Sequence, residues 1–110
     1  MNAICRLYLR SNPAIQKSIS IDDSLYEKLK TLINKKYDAT ISDIINVALE
    51  NYIDKNNPTF YEKPKLESTT YRTIMLRKDN LTGLQRMHKE SGISVTRLLN
   101  SAIKEFLESL

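Results

Sequence analysis

Ile41-Ser42-Asp43-Ile44-Ile45-Asn46-Val47-Ala48-Leu49-Glu50-Asn51-Tyr52-Ile53 places apolar side chains at positions 41, 44, 45, 48, 49, 52 and 53. Steps of three and four draw one continuous apolar stripe down a helix. Fifty-four residues later, Val95, Leu98, Leu99, Ala102, Ile103, Phe106 and Leu107 repeat the stripe position for position. Thr40 and Ser94 stand just before the two stretches, where a hydroxyl caps the free amides of a helix start. The chain therefore states one structural unit twice.

Working outward, the preceding segments match at an offset of 55. Tyr26, Leu29, Leu32 and Ile33 correspond to Leu81, Leu84, Met87 and His88, which predicts helices over residues 25–36 and 81–91. Asp22, Asp23 and Ser24 offer capping oxygens to the first helix, and Asp79 or Asn80 to the second. The offset drops from 55 to 54 in the turn, where Lys36-Tyr37-Asp38-Ala39 faces Ser91-Gly92-Ile93. Gly92 suits the left-handed residue that closes a helix. Ahead of each helix pair, Ser18-Ile19-Ser20-Ile21 and Thr73-Ile74-Met75-Leu76 alternate outward and inward residues. That alternation predicts strands of five or six residues, each with one buried face.

A unit of about forty residues is too small to bury a core by itself, so two copies are expected to form one domain. The predicted fold is mainly α with a short two-stranded antiparallel ribbon, each strand pairing with its equivalent over four helices. Residues 1–14 form an N-terminal arm, with Cys5, Leu7 and Leu9 alternating with Arg6, Tyr8 and Arg10. Residues 15–53 form the first repeat and residues 70–110 the second. Asn56-Asn57-Pro58 and Pro64 mark residues 54–69 as a linker that spans up to roughly 50 Å, with Phe60 and Tyr61 placed to pin it on the helices.

The formal charge of +4 and a pI near 9.2 permit a nucleic-acid partner without requiring one. The excess is uneven. Residues 15–53 hold five basic against six acidic side chains, whereas residues 70–110 hold seven against four. Arg6 and Arg10 add charge in the arm, and the linker is balanced. The single Cys5 rules out an internal disulfide and has no metal-ligand partner at suitable spacing. No apolar run reaches membrane length and no secretory leader is recognisable, so a cytoplasmic protein is expected. With one His, one Cys and no converging acid pair, no enzymatic activity, metal, cofactor or small-molecule ligand is expected. His88 at an inward helical position reads as packing or a solvent edge, and Tyr26, Tyr52 and Phe106 as core.

Strand, helix, turn and helix, given twice, resembles the ribbon-helix-helix regulators of the MetJ/Arc/CopG superfamily. Ser18-Ile19-Ser20-Ile21-Asp22-Asp23-Ser24-Leu25 leading into Val47-Ala48-Leu49-Glu50-Asn51-Tyr52 is similar to plasmid copy-number repressors of the CopG type. Gly92-Ile93-Ser94-Val95-Thr96 resembles the turn of Arc-like members. The family usually acts as a homodimer of single copies. The fusion seen here resembles tandem regulators known from archaeal viruses and some bacteria, and implies an intramolecular pseudodimer. Tethering of that kind holds the halves at an effective concentration on the order of millimolar.

The resemblance implies a sequence-specific double-stranded DNA-binding transcriptional regulator. A repressor is expected rather than an activator, since the fold leaves little room for an effector domain. Base reading falls to the outward ribbon face, Gln16, Ser18 and Ser20 on one strand and Tyr71, Thr73 and Met75 on the other. Gln suits both edges of adenine, hydroxyls donate or accept, and Met packs on a thymine methyl. Phosphates suit the free amides and positive dipole end at Thr40-Ile41-Ser42 and Ser94-Val95-Thr96. Arg97 adds a cation where the first copy has Asp43, which predicts tighter clamping by the second half. Lys17 and Arg72, at the strand entries, are expected to reach a phosphate as well. Because the two strands differ, one molecule should read unlike half-sites, and a palindrome requires further self-association on DNA.

Bland readings stand beside these. Alternating Ser and Thr on a strand is commonly a solvated face, and capping hydroxyls are commonly only caps. The alternative function is an antitoxin with DNA-binding autorepression. That role needs a toxin-wrapping tail, for which only residues 1–14 or the linker would serve, since the last helix runs almost to Leu110.

Overall fold

The computed structural model describes residues 13–35, 40–53 and 67–110. The arm with Cys5, the turn at residues 36–39, and Phe60 and Tyr61 in the linker lie outside the described residues. The element order is strand β1 (Ala14–Asp22), helices α1 (Asp23–Lys35) and α2 (Ile41–Ile53), strand β2 (Thr69–Arg77), and helices α3 (Lys78–Ser91) and α4 (Val95–Glu108). Both strands and both first helices start 55 residues apart, and the second helices start 54 apart, reproducing the sequence offsets.

β1 and β2 form a two-stranded antiparallel sheet. Ser18 lies opposite Thr73, and these two are 55 apart; Gln16 faces Met75 and Ser20 faces Tyr71. The register is thus centred on equivalent residues, as a two-fold relation between the strands demands. Each strand is nine residues long rather than five or six. The ladder continues past them, with the Asp23 N–H donating to Ser68 O and the Lys78 N–H donating to Pro13 O, both at 2.9 Å. Strand therefore passes into helix without a loop.

This direct entry moves the start of α3 three residues ahead of the sequence reading. Arg77 occupies its N-cap position with no side-chain cap, so neither Asp79 nor Asn80 serves there. At the start of α1 the Asp23 N–H goes to Ser68 O and the Ser24 N–H to Glu67 Oε1 at 3.0 Å. The expected oxygens of Asp22, Asp23 and Ser24 are therefore not what these two amides meet, whereas the caps of α2 and α4 and the end of α3 agree with expectation. Thr40 Oγ1 accepts from the Asp43 N–H at 3.2 Å and Ser94 Oγ accepts from the Arg97 N–H at 3.1 Å. Gly92 closes α3 at φ 76°, its N–H donating to His88 O.

The core lies beneath the sheet. Ile19, Ile21, Ile74 and Leu76 project inward from the strands onto Ile44, Ile45 and Leu49 of α2 and Leu98, Leu99 and Ile103 of α4. Each fully buried Leu or Ile contributes about 1.5–3 kcal/mol relative to exposure. α2 and α4 pack on each other more extensively than any other helix pair, with α1 and α3 at the flanks. Tyr52 is fully buried, Tyr26 and Phe106 half-buried. Burial pushes the Tyr52 phenol pKa up, and the Glu105 charge adds to the shift. His88 is a solvent-edge residue with Nδ1 2.7 Å from Ile93 O.

Candidate nucleic-acid interface

The sheet face opposite the core carries no covering element among the described residues. Gln16, Ser18, Thr73, Tyr71 and Met75 are exposed there, Tyr71 at 76% and Met75 at 42%. Alternation is the cause: inward parity is claimed by four aliphatic residues, which leaves these side chains on the outer face. Ser20 shares their parity but is half-buried. It borders a cavity of about 150 Å³ at the start of α4, together with Thr69, Ser94, Thr96 and Arg97. The structure thereby brings one strand candidate and three candidates from the α4 start to a common wall. Asp22 lines the same cavity, an acid beside the basic residue expected to clamp a phosphate.

The cap hydroxyls take the third amide of α2 and α4. At the start of α4 the Leu98 N–H donates to Ser94 O, and the amides of Val95 and Thr96 have no partner among the described residues. Those two point out of the helix start, where a phosphate would meet them. Ile41 and Val95 are half-buried against the core, so only their backbone can serve such a contact. Ser42 is half-buried, and its hydroxyl accepts from the Met75 N–H at 3.1 Å.

The two strand-entry cations diverge. Lys17 is exposed and makes no ion pair among the described residues. Arg72 turns to the helix side, its guanidinium 3.5 Å from the centroid of the Tyr26 ring and 3.7 Å from Asp23 Oδ1. Aromatic face and carboxylate together hold it, so it does not project outward as expected. Around Asp23, Ser68 Oγ and Thr70 Oγ1 donate to the carboxylate. These hydrogen bonds, then the Arg72 charge, hold its pKa below the usual carboxylate value.

Two asparagines that the sequence reading left out organise the ribbon edges. Asn46 Nδ2 donates to Met75 O at 2.8 Å and to Ser42 O at 2.9 Å, while its Oδ1 accepts from the Arg77 N–H and from Asn80 Nδ2, each at 2.9 Å. Asn100 Nδ2 donates to Ser20 O and Thr96 O, and its Oδ1 accepts from the Asp22 N–H at 2.9 Å. Both are nearly fully buried and stand 54 residues apart. Each satisfies the open edge of the strand in the other half, where unpaired backbone groups would otherwise invite a further strand. The signal was a matched polar residue beside the apolar stripe, in Ile45-Asn46 and Leu99-Asn100.

No protein-family model, curated protein or solved structure matches the chain. No helix among the described residues is long and apolar enough to cross a membrane.

Proposed function

We propose that this chain is a sequence-specific double-stranded DNA-binding transcriptional regulator, a repressor acting in the cytoplasm, built as an intramolecular pseudodimer of two ribbon-helix-helix repeats. The observation that carries the reading is a ribbon face that no element among the described residues covers, bearing Gln16, Ser18, Tyr71, Thr73 and Met75 and flanked by the starts of α2 and α4. A two-stranded ribbon fits the B-DNA major groove, where each base pair displays its own donor and acceptor pattern. In this mode the outward side chains meet base edges, and the amides at residues 41–42 and 95–96 meet the phosphates on either side. Lys17 and Arg97 supply cations; Arg72 supports the ribbon from behind. The register centred on Ser18 and Thr73 and the crossed Asn46 and Asn100 clamps support the pseudodimer.

The test is equilibrium binding of the full chain to random-sequence and selected duplexes across a salt series. Binding that weakens linearly in log–log form, with a slope of roughly −0.9 per phosphate neutralised, is expected. The selected site should be tighter than random sequence by at least about a thousandfold. Absence of duplex binding at low salt would leave only a small helical protein-binding module.

A further inference from the structure

We infer that Gln16 and Met75 read one A·T base pair together, and that this end of the ribbon carries most of the sequence information. The inference rests on the DNA-binding reading above and adds which residues cooperate and on what base pair. Gln16 lies directly opposite Met75. Because Pro13 and Lys78 form a hydrogen-bonded pair, as do Asp23 and Ser68, Gln16 and Met75 occupy a non-hydrogen-bonded pair. Side chains come closest at such positions, with Cβ atoms about 4.5–5.5 Å apart. Both are exposed on the outer face, so an amide and a thioether stand side by side.

The major-groove edge of an A·T pair shows adenine N7 and N6–H₂ and, beside them, thymine O4 and the C5 methyl. The Gln16 amide matches the first two, its NH₂ donating to N7 and its oxygen accepting from N6. The unbranched thioether of Met75 packs on the methyl. Met75 is held for this from behind. Its N–H donates to Ser42 Oγ at 3.1 Å and its carbonyl accepts from Asn46 Nδ2 at 2.8 Å, leaving the side chain without any structural duty on the core side. At the opposite end, Tyr71 presents a hydroxyl, which both donates and accepts and so singles out no base, and Ser20 across from it is half-buried. The operator should accordingly be asymmetric, with its strongest preference under Gln16 and Met75.

The experiment selects a site with the full-length chain from a random duplex library, then replaces single bases in it. 7-Deaza-adenine removes N7, and uracil in place of thymine removes the methyl. One A·T pair is expected at which each replacement weakens binding by about five- to a hundredfold. Gln16→Ala should abolish sensitivity to 7-deaza-adenine there while keeping that to uracil, and Met75→Ala should do the reverse. Sensitivities at well-separated base pairs, or variants that keep both, overturn the inference while the DNA-binding reading survives. A chain that selects no site removes both. The base replacements against the unaltered protein locate the A·T pair without any variant, and each variant keeps one of the two sensitivities, which shows that it is folded and bound.

Discussion

The two strand–helix–helix halves share a backbone plan and differ where they touch. Arg77 of the second half pairs with Glu50 of the first at 2.6 Å. At the equivalent positions the charges are exchanged, Asp22 for Arg77 and Lys104 for Glu50. Gly83 lets α3 approach Ile53 so closely that a Cβ would lie 2.8 Å from Ile53 Cδ1, whereas Lys28 stands at the matching place in α1. Asp23 opens α1, and Lys78 opens α3. Suppose two first halves met instead. Asp22 would face Glu50, and Lys28 would crowd Ile53. Two second halves would set Arg77 against Lys104. The difference teaches where pairing of unlike halves can be made specific: attraction at Arg77 and Glu50, and, for like halves, repulsion at the same places.

The largest test of this comparison is at the asparagines. Asn46→Ala leaves Met75 O and the Arg77 N–H without their partner and strips Asn80 Nδ2 of its shorter bond, only the 3.3 Å bond to the residue 46 carbonyl remaining; each buried orphan costs about 1–3 kcal/mol. A loss of roughly 3 kcal/mol in urea unfolding is expected. Asn100→Ala should cost less, because Leu25 stands where the first clamp has Asn80 and only strand groups and a helix carbonyl are released. Equal losses would erase the distinction between the two edges. Next comes Gly83→Lys, which gives the second half the first half's residue. Overpacking against Ile53 should destabilise by about 1–3 kcal/mol, and adding Ile53→Ala should recover much of it. A neutral Gly83→Lys would mean that α3 shifts freely and that the close approach selects nothing.

Much of this arrangement was legible in the sequence. The two seven-position stripes, the caps at Thr40 and Ser94 and the left-handed Gly92 are local consequences of helix geometry, and they appear where the pattern placed them. Parity likewise anticipated five of six outward side chains. What escaped was set by tertiary partners. Ser20 is half-buried because α4 begins beside it, and Arg72 turns inward because Tyr26 and Asp23 wait on that side. Neither relation has a sequence period. Asn46 and Asn100 escaped for another reason: a polar residue beside an apolar stripe is ordinary on a helix, and only the strand edge in the other half makes it a clamp.

A smaller effect is expected at the Arg77–Glu50 pair, which is partly exposed and so worth about 1 kcal/mol or less. Arg77→Glu should destabilise by about that amount, and Arg77→Glu combined with Glu50→Arg should restore most of it. Thermal melts of the four proteins in the cycle isolate the coupling. Additive losses would assign the effect of Arg77→Glu to lost packing of its aliphatic stem and would remove charge from the account of pairing.

The smallest expected effect sharpens the comparison at the helix starts. The Asp23 carboxylate is stabilised by the Ser68 and Thr70 hydroxyls, then by Arg72, and its folded pKa lies below the ordinary 3.8. Below that ordinary value the unfolded chain takes up the proton first, so in this window stability rises with pH. The Asp23 contribution is therefore complete above about pH 4 and disappears as pH falls through the depressed folded value. Asp23→Asn should flatten the acid limb of a stability–pH profile and change little near neutrality beyond the loss of the Arg72 contact. Lys78, at the matching place, opens α3 with a cation at the positive end of its dipole, so Lys78→Gln should leave the acid limb unchanged and slightly stabilise the protein. If Asp23→Asn left the acid limb as steep as before, the carboxylate would not be the group that distinguishes the two ends, and their difference would rest on packing alone.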